Sequence, residues 1–299
     1  MGIILDILIV LIVGYVIFSN ARRGFGKVLV FCIGYLVSTF LASLISSAAA
    51  PVFYDGVARD SNINAVQTAN EHIDFAAVYA KAINDEKYGF IADSKSVSLV
   101  LQDYNNGNFD DRLYEFVVSK VGSDGVNRTL FDKQIQEAFI RDYGKELGAR
   151  VPEYVITDFE KSVRANPKLM RDIMYAYYDK RQTAEERAAK IEEMFSEAPT
   201  TEVLQIFLYL ILFSVCMVLA AVIATMLQNK LFFNIRKSTD HAMGGFIGLL
   251  EAFSMVILLT LIVRLLVLLG GGKFLFFNDE ELDSTFLFSF FYRNIRLLL

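Results

Sequence analysis

Cysteine and histidine are scarce, two of each in 299 residues, and this excludes much chemistry. Cys32 and Cys216 both fall within long apolar runs, and no cysteine lies in the polar stretch between the second and third runs. Disulfides therefore play no part in that stretch. Free cysteine generally packs as a small apolar residue, and that is the reading adopted for both. These cysteines, together with His72 and His241, cannot assemble a metal site, and no cofactor is expected. Lys and Arg are absent from Met1 to Ser19, which argues against a cleavable signal with a basic leader. The first positive charges, Arg22, Arg23 and Lys27, come afterwards, as expected of an uncleaved first helix with its N-terminus outside.

Enzyme motifs are also missing. His72 has no Gly-x-Ser-x-Gly stretch to serve, and His241 belongs to a different loop. The run Asp103-Tyr-Asn105-Asn106-Gly107 is not a calcium loop. Its glycine falls one place early, and Tyr114 stands where the bidentate acid is needed. Gly24-x-Gly26 is too short to cradle phosphate, and no basic patch with interleaved aromatics suggests nucleic acid. The expectation is a non-enzymatic protein with neither a nucleic-acid partner nor a catalytic residue.

What the chain does have is apolar length. Apolar residues make up 54% of it, and its mean hydropathy is +0.40. Crossing a bilayer as a helix takes roughly 20 apolar residues. Val28 to Tyr54, Val203 to Asn229 and, allowing Glu251, Ala242 to Val263 reach that length. Ile3 to Ser19 is a shorter fourth run, long enough if Asp6 sits at headgroup level. Short positively charged loops stay cytoplasmic. Asn20 to Lys27 carries three basic residues and no acidic one, and Gln228 to Gly244 carries Lys230, Arg236 and Lys237 against Asp240. Both loops are therefore placed inside and both termini outside, which makes the long segment between runs two and three extracytoplasmic. Its 26 acidic and 19 basic residues suit that side.

That segment reads as a folded helical domain. Apolar stripes run through Leu169, Met170, Ile173, Met174, Tyr177 and Tyr178, through Ile135, Phe139, Tyr143 and Leu147, and through Leu113, Phe116, Val117 and Val121. Thr183 followed by Glu186 fits a capping box, and Pro152, Pro167 and Pro199 mark helix boundaries. The expected architecture is all-α. Residues 1–50 hold transmembrane helices one and two, 51–201 the extracytoplasmic domain, 202–270 helices three and four, and 271–299 an aromatic tail, interfacial or re-entrant.

Three ionisable residues sit within or at the margins of the runs: Asp6, Glu251 and Arg264. A charge left at the bilayer centre costs roughly 2.5–3.5 kcal/mol, so each should find a partner or reach the surface. Depth suggests Asp6 with Arg264 near the outer face, and Glu251 with Arg22, Arg23 or Lys27 near the inner one. Small residues recur every four positions at Gly34, Ser38 and Ala42 and again at Gly244, Gly248 and Ala252. This spacing lets helix backbones approach closely, and the two helices are expected to pack on each other.

These features together resemble the CvpA, or colicin V production, family of bacterial inner-membrane proteins. The resemblance rests on Asp6 opening the first helix, on Arg23-Gly24 with Lys27 between helices one and two, and on Thr239-Asp240 followed by Gly244 and Gly248. It covers about residues 1–50 and 203–299 and leaves the insertion unexplained. Family members often carry a basic residue followed by glycine where this chain has Glu251-Ala252. The resemblance implies a membrane scaffold associated with toxin production or export and envelope maintenance. Some relatives use the same membrane part to anchor an extracytoplasmic serine protease, a motif this insertion lacks. The expected partners are the lipid bilayer and a protein or ligand of the envelope, with homo-oligomerisation left open. The alternative is a small transport or secretion component using Asp6, Glu251 and Arg264.

Overall fold

The computed structural model describes residues 2–23, 25–86, 88–102, 108–227, 237–270 and 279–295. Gly24, the Asp103 to Gly107 run, the loop residues 228–236 and the stretch 271–278 with its Phe274, Phe276 and Phe277 lie outside them, as does the Lys27 side chain. All regular structure among the described residues is helical. The chain divides into two units, one formed by residues 1–54 and 201–299 and the other by residues 55–200.

The first unit contains four helices long and apolar enough to cross a membrane: α1 (Gly2–Arg23), α2 (Phe25–Phe53), α11 (Glu197–Leu227) and α12 (Lys237–Leu269). The short helices α13 (Asp279–Asp283) and α14 (Leu287–Asn294) complete it. Residues expected to form a loop are largely helix, since α1 runs to Arg23 and α2 opens at Phe25. A mean helical rise of about 1.5 Å makes α1 roughly 33 Å long, enough for a hydrocarbon core of about 30 Å.

α12 is the hub. Its apolar window is 56% buried, against 17–22% for the other three, because α1, α2 and α14 all pack on it. It runs antiparallel to α1, and Gly248 makes the approach possible. A Cβ there would lie 2.9 Å from Asn20 Cβ and 3.2 Å from the Ile17 backbone. Gly34 works elsewhere, since a Cβ at Gly34 would fall 2.8 Å from Ala220 Cβ of α11. The two small-residue stripes therefore do not pack on each other at these glycines. That of α2 admits α11, and that of α12 admits α1. Ser38, Ala42, Gly244 and Ala252 are buried within the same stripes, while α2 meets α12 through Val28, Cys32 and Ile247.

The second unit comprises α3 (Arg59–His72), α4 (Phe75–Asp85), α5 (Ser94–Gln102), α6 (Phe109–Val121), α7 (Arg128–Gly148), α8 (Glu153–Ala165), α9 (Pro167–Tyr178) and α10 (Ala184–Phe195). A five-residue π-helical turn, Tyr54–Ala58, precedes α3. The helix starts are written locally. Asp74 accepts from the amides of Ala76 and Ala77, Asn127 from Leu130, Asn166 from Lys168, and Thr183 and Glu186 close a full capping box. Pro152 and Pro167 stand at helix starts, and Pro199 lies in the first turn of α11. Gly122 ends α6 at φ +84°, a conformation that favours glycine.

Around α7 the amphipathic faces close on one another. Ile135, Phe139, Tyr143 and Leu147 are completely buried. Phe139 stacks on Phe75 at 5.7 Å and lies 5.9 Å from Phe159, which meets Phe195 edge-on at 5.1 Å. Tyr143 hydrogen-bonds Asn70 Oδ1 at 2.8 Å, so its buried hydroxyl is satisfied.

This core predicts independent folding. Residues 55–200 expressed alone should be soluble, helix-rich and cooperatively unfolding, and Phe139→Ala should cost about 3–5 kcal/mol in urea melts. A sheet-dominated circular dichroism spectrum or a disordered fragment would contradict this. Acid should weaken the fragment too. The Arg181 guanidinium beside Asp179 holds its carboxyl down at about 2, and hydrogen bonds from Ser96 hold Asp93 below the usual range. Depressed folded-state values add stability above an unfolded value of about 3.9, lost as protons bind below it. The urea midpoint should therefore drop between about pH 4 and pH 2, and Asp179→Asn should flatten part of that slope.

Candidate functional site

The ionisable residues of the membrane-type helices form two layers. The register of α1 against α12 defines them. The Asn20 amide Nδ2 donates to Glu251 Oε2 at 2.6 Å, so counting back along α1 and forward along α12 brings Asp6 and Arg264 to one level. Shared depth does not make them a pair, however.

Asp6 accepts three backbone N–H bonds, from Phe286 at 2.8 Å and from Leu287 and Phe288 at 2.9 Å. These are amides of the first turn of α14 and the residue before it. The residue preceding α14 is Phe286, whose side chain offers no acceptor, so the cap is supplied by another helix. A carboxylate is well suited to that role, because helix N-termini carry unpaired donors and partial positive charge. From there α14 descends beside α1 and α12. Phe288 and Tyr292 are buried with Ile9, Val256 and Val263, and Phe291 comes within 5.8 Å of Phe253. Phe253 lies eleven residues before Arg264, about 16 Å along α12.

Arg264 pairs with Glu202, one turn inside α11, and its guanidinium also lies 5.5 Å from the Tyr292 ring. The expectation of an Asp6–Arg264 pair is thus corrected. Each residue is satisfied by a different element, and Glu202 was passed over because it lies just before the apolar run of α11.

In the other layer, Glu251 is hydrogen-bonded to Asn20, a partner not foreseen; of the expected basic neighbours, Lys27 has its side chain outside the described residues. Arg22 stacks over the Phe18 ring at 4.1 Å, and Arg23 acts on Glu251 only as a neighbouring charge. At the start of α12, two adjacent residues clasp the corner between α1 and α2. Asp240 Oδ1 accepts from the Phe25 amide at 2.8 Å and so caps α2, which follows a glycine with no side chain to do so. His241 Nδ1 lies 2.6 Å from the Ala21 carbonyl in the last turn of α1. A carbonyl can only accept, so Nδ1 carries the proton. Gly24, part of the motif expected here, lies outside the described residues.

Chemically these groups close helix ends and neutralise one another. No cluster of three or more metal-ligating side chains occurs among the described residues. His72 is exposed and turned onto the Thr68 carbonyl of its own helix at 2.7 Å. Between the layers, thirteen residues apart on α12 and about 20 Å, the buried face is Ala252, Ser254, Val256, Ile257, Thr260, Leu261 and Val263. Of its two hydroxyl residues, Thr260 is bonded to the Val256 carbonyl of its own helix. No protein-family model, curated protein or solved structure matches this chain.

The partner assignments can be separated by substitution. Arg264→Gln and Glu202→Gln should each lower thermal stability in detergent, by about 3 kcal/mol for a broken buried pair, and the double substitution should recover much of the loss. Asp6→Asn should cost about 1–2 kcal/mol as a weakened cap. Combined with Arg264→Gln it should be no better than the worse single variant. Rescue in that double would restore the pairing rejected here.

Proposed function

We propose that this chain is a non-enzymatic integral membrane scaffold of the type the CvpA resemblance implies. Its residues 55–200 would face the extracytoplasmic side of a bacterial cytoplasmic membrane and engage a protein or envelope ligand. In this reading both termini are extracytoplasmic, α14 re-enters from the outer side, and the role lies in toxin production or export or in envelope maintenance. One observation carries it: Asp6, Arg264 and Asp240 are all engaged in closing or joining helices. A face about 20 Å long on α12, free of charge and broken only by the hydroxyls of Ser254 and Thr260, then separates the two charged layers. Groups used to fix helices serve a platform better than they serve a moving charge. The charge asymmetry of the short loops supports the orientation.

A second reading, a small transport or secretion component, draws on Glu251. That carboxylate is buried with one neutral hydrogen-bond donor, Asn20, and intramembrane acids so placed often carry protons.

Orientation and role are tested together. In a chain without Cys32 and Cys216, a cysteine replacing the exposed Ile91 should react with a membrane-impermeant thiol reagent in intact cells. One replacing Ser238 should react only after lysis, and labelling of Ser238 from outside would overturn the orientation. Glu251→Gln decides between scaffold and transporter. The scaffold reading expects abundance and phenotype to fall together, whereas normal abundance with lost phenotype would favour transport.

A further inference from the structure

α2 and α11 touch where Gly34 faces Ala220, and beside that contact they leave a groove of about 490 Å³. It is lined by Leu29, Ile33 and Val37 of α2 and by Cys216, Leu219 and Ile223 of α11, among other apolar side chains, with Ser38 the one hydroxyl. The groove opens sideways, since Ile33, Val37, Leu219 and Ile223 are each about half exposed. This apolar surface is not absorbed by the packing of α12.

Its length and apolar lining suit an alkyl chain. From Leu29 to Leu41 is twelve residues, about 18 Å at the helical rise. That is close to one leaflet of hydrocarbon, roughly 15 Å. The Gly34–Ala220 contact closes the floor. An extended alkyl chain can lie along the groove, which opens sideways over its whole length. The end at Leu29 and Leu227 adjoins the start of α2, and the last turn of α1 immediately before it carries exposed Arg22 and Arg23. Basic residues at this position attract anionic headgroups.

We infer that this groove binds one acyl chain of an anionic phospholipid from the leaflet on the Arg22 side, its phosphate meeting the guanidinium groups of Arg22 and Arg23. Cys216 then lines the bound chain, and the lipid fills the space between α2 and α11 that protein packing leaves open.

Native mass spectrometry of the full-length protein tests this, after delipidation in detergent and addition of phosphatidylglycerol or phosphatidylcholine with identical chains. Wild type should retain one phosphatidylglycerol in preference to phosphatidylcholine. Cys216→Phe or Ile223→Phe, which fill the groove, should reduce retention by at least about tenfold while preserving helical circular dichroism. Arg22→Gln with Arg23→Gln should bring the two lipids toward parity without abolishing binding. Equal retention of both lipids by wild type would overturn the assignment. So would undiminished phosphatidylglycerol binding in a folded groove-filled variant, or a dimer that Cys216→Phe dissociates, since a second copy would then be the occupant.

Discussion

Every helix end leaves backbone groups without a partner in its own helix, and the membrane-type unit is arranged around that deficit. Each such amide or carbonyl left bare in an apolar medium costs several kcal/mol. Here the missing partners come from other helices. Asp6 of α1 closes the start of α14, Asp240 of α12 closes the start of α2, and His241 meets the last turn of α1. A cap supplied across helices also fixes where the capped helix stands. The acidic residues of these helices thus do two jobs at once, satisfying donors and setting the lateral order of the bundle.

The central position of α12 follows from the same constraint. It bears Asp240, His241, Glu251 and Arg264 in order along its length, and each engages a different neighbour or a different part of one. Gly248 brings α1 close enough for Asn20 to reach Glu251. α11 is held more loosely, through the Gly34–Ala220 contact, the Tyr35–Phe213 ring pair and the Glu202–Arg264 ion pair. The open groove beside Gly34 follows from that looser attachment.

Apolar run length identified the four long helices, and period-3.6 stripes identified the buried faces of α7 and α9, because both depend only on neighbours along the chain. The capping box at Thr183 and Glu186 was legible for the same reason. The partners of Asp6, Glu251 and Arg264 were not. Depth along a helix can be counted from sequence, and it did bring Asp6 level with Arg264, but which side chains meet at one depth depends on how helices are ordered around the bundle. Backbone amides leave no residue-type signature at all. The one available sign was negative: α14 and α2 both begin without a capping side chain of their own, after Phe286 and Gly24.

The claim that these charges hold helices in place is tested most directly by amide hydrogen exchange on the full-length protein in lipid nanodiscs. In wild type, the amides of Phe286, Leu287 and Phe288 should exchange slowly. In Asp6→Leu, which keeps the apolar bulk but no acceptor, they should exchange fast while the amides of mid-α12 keep their protection. Unchanged protection of those three amides in Asp6→Leu would show that α14 is held by something other than the Asp6 carboxylate.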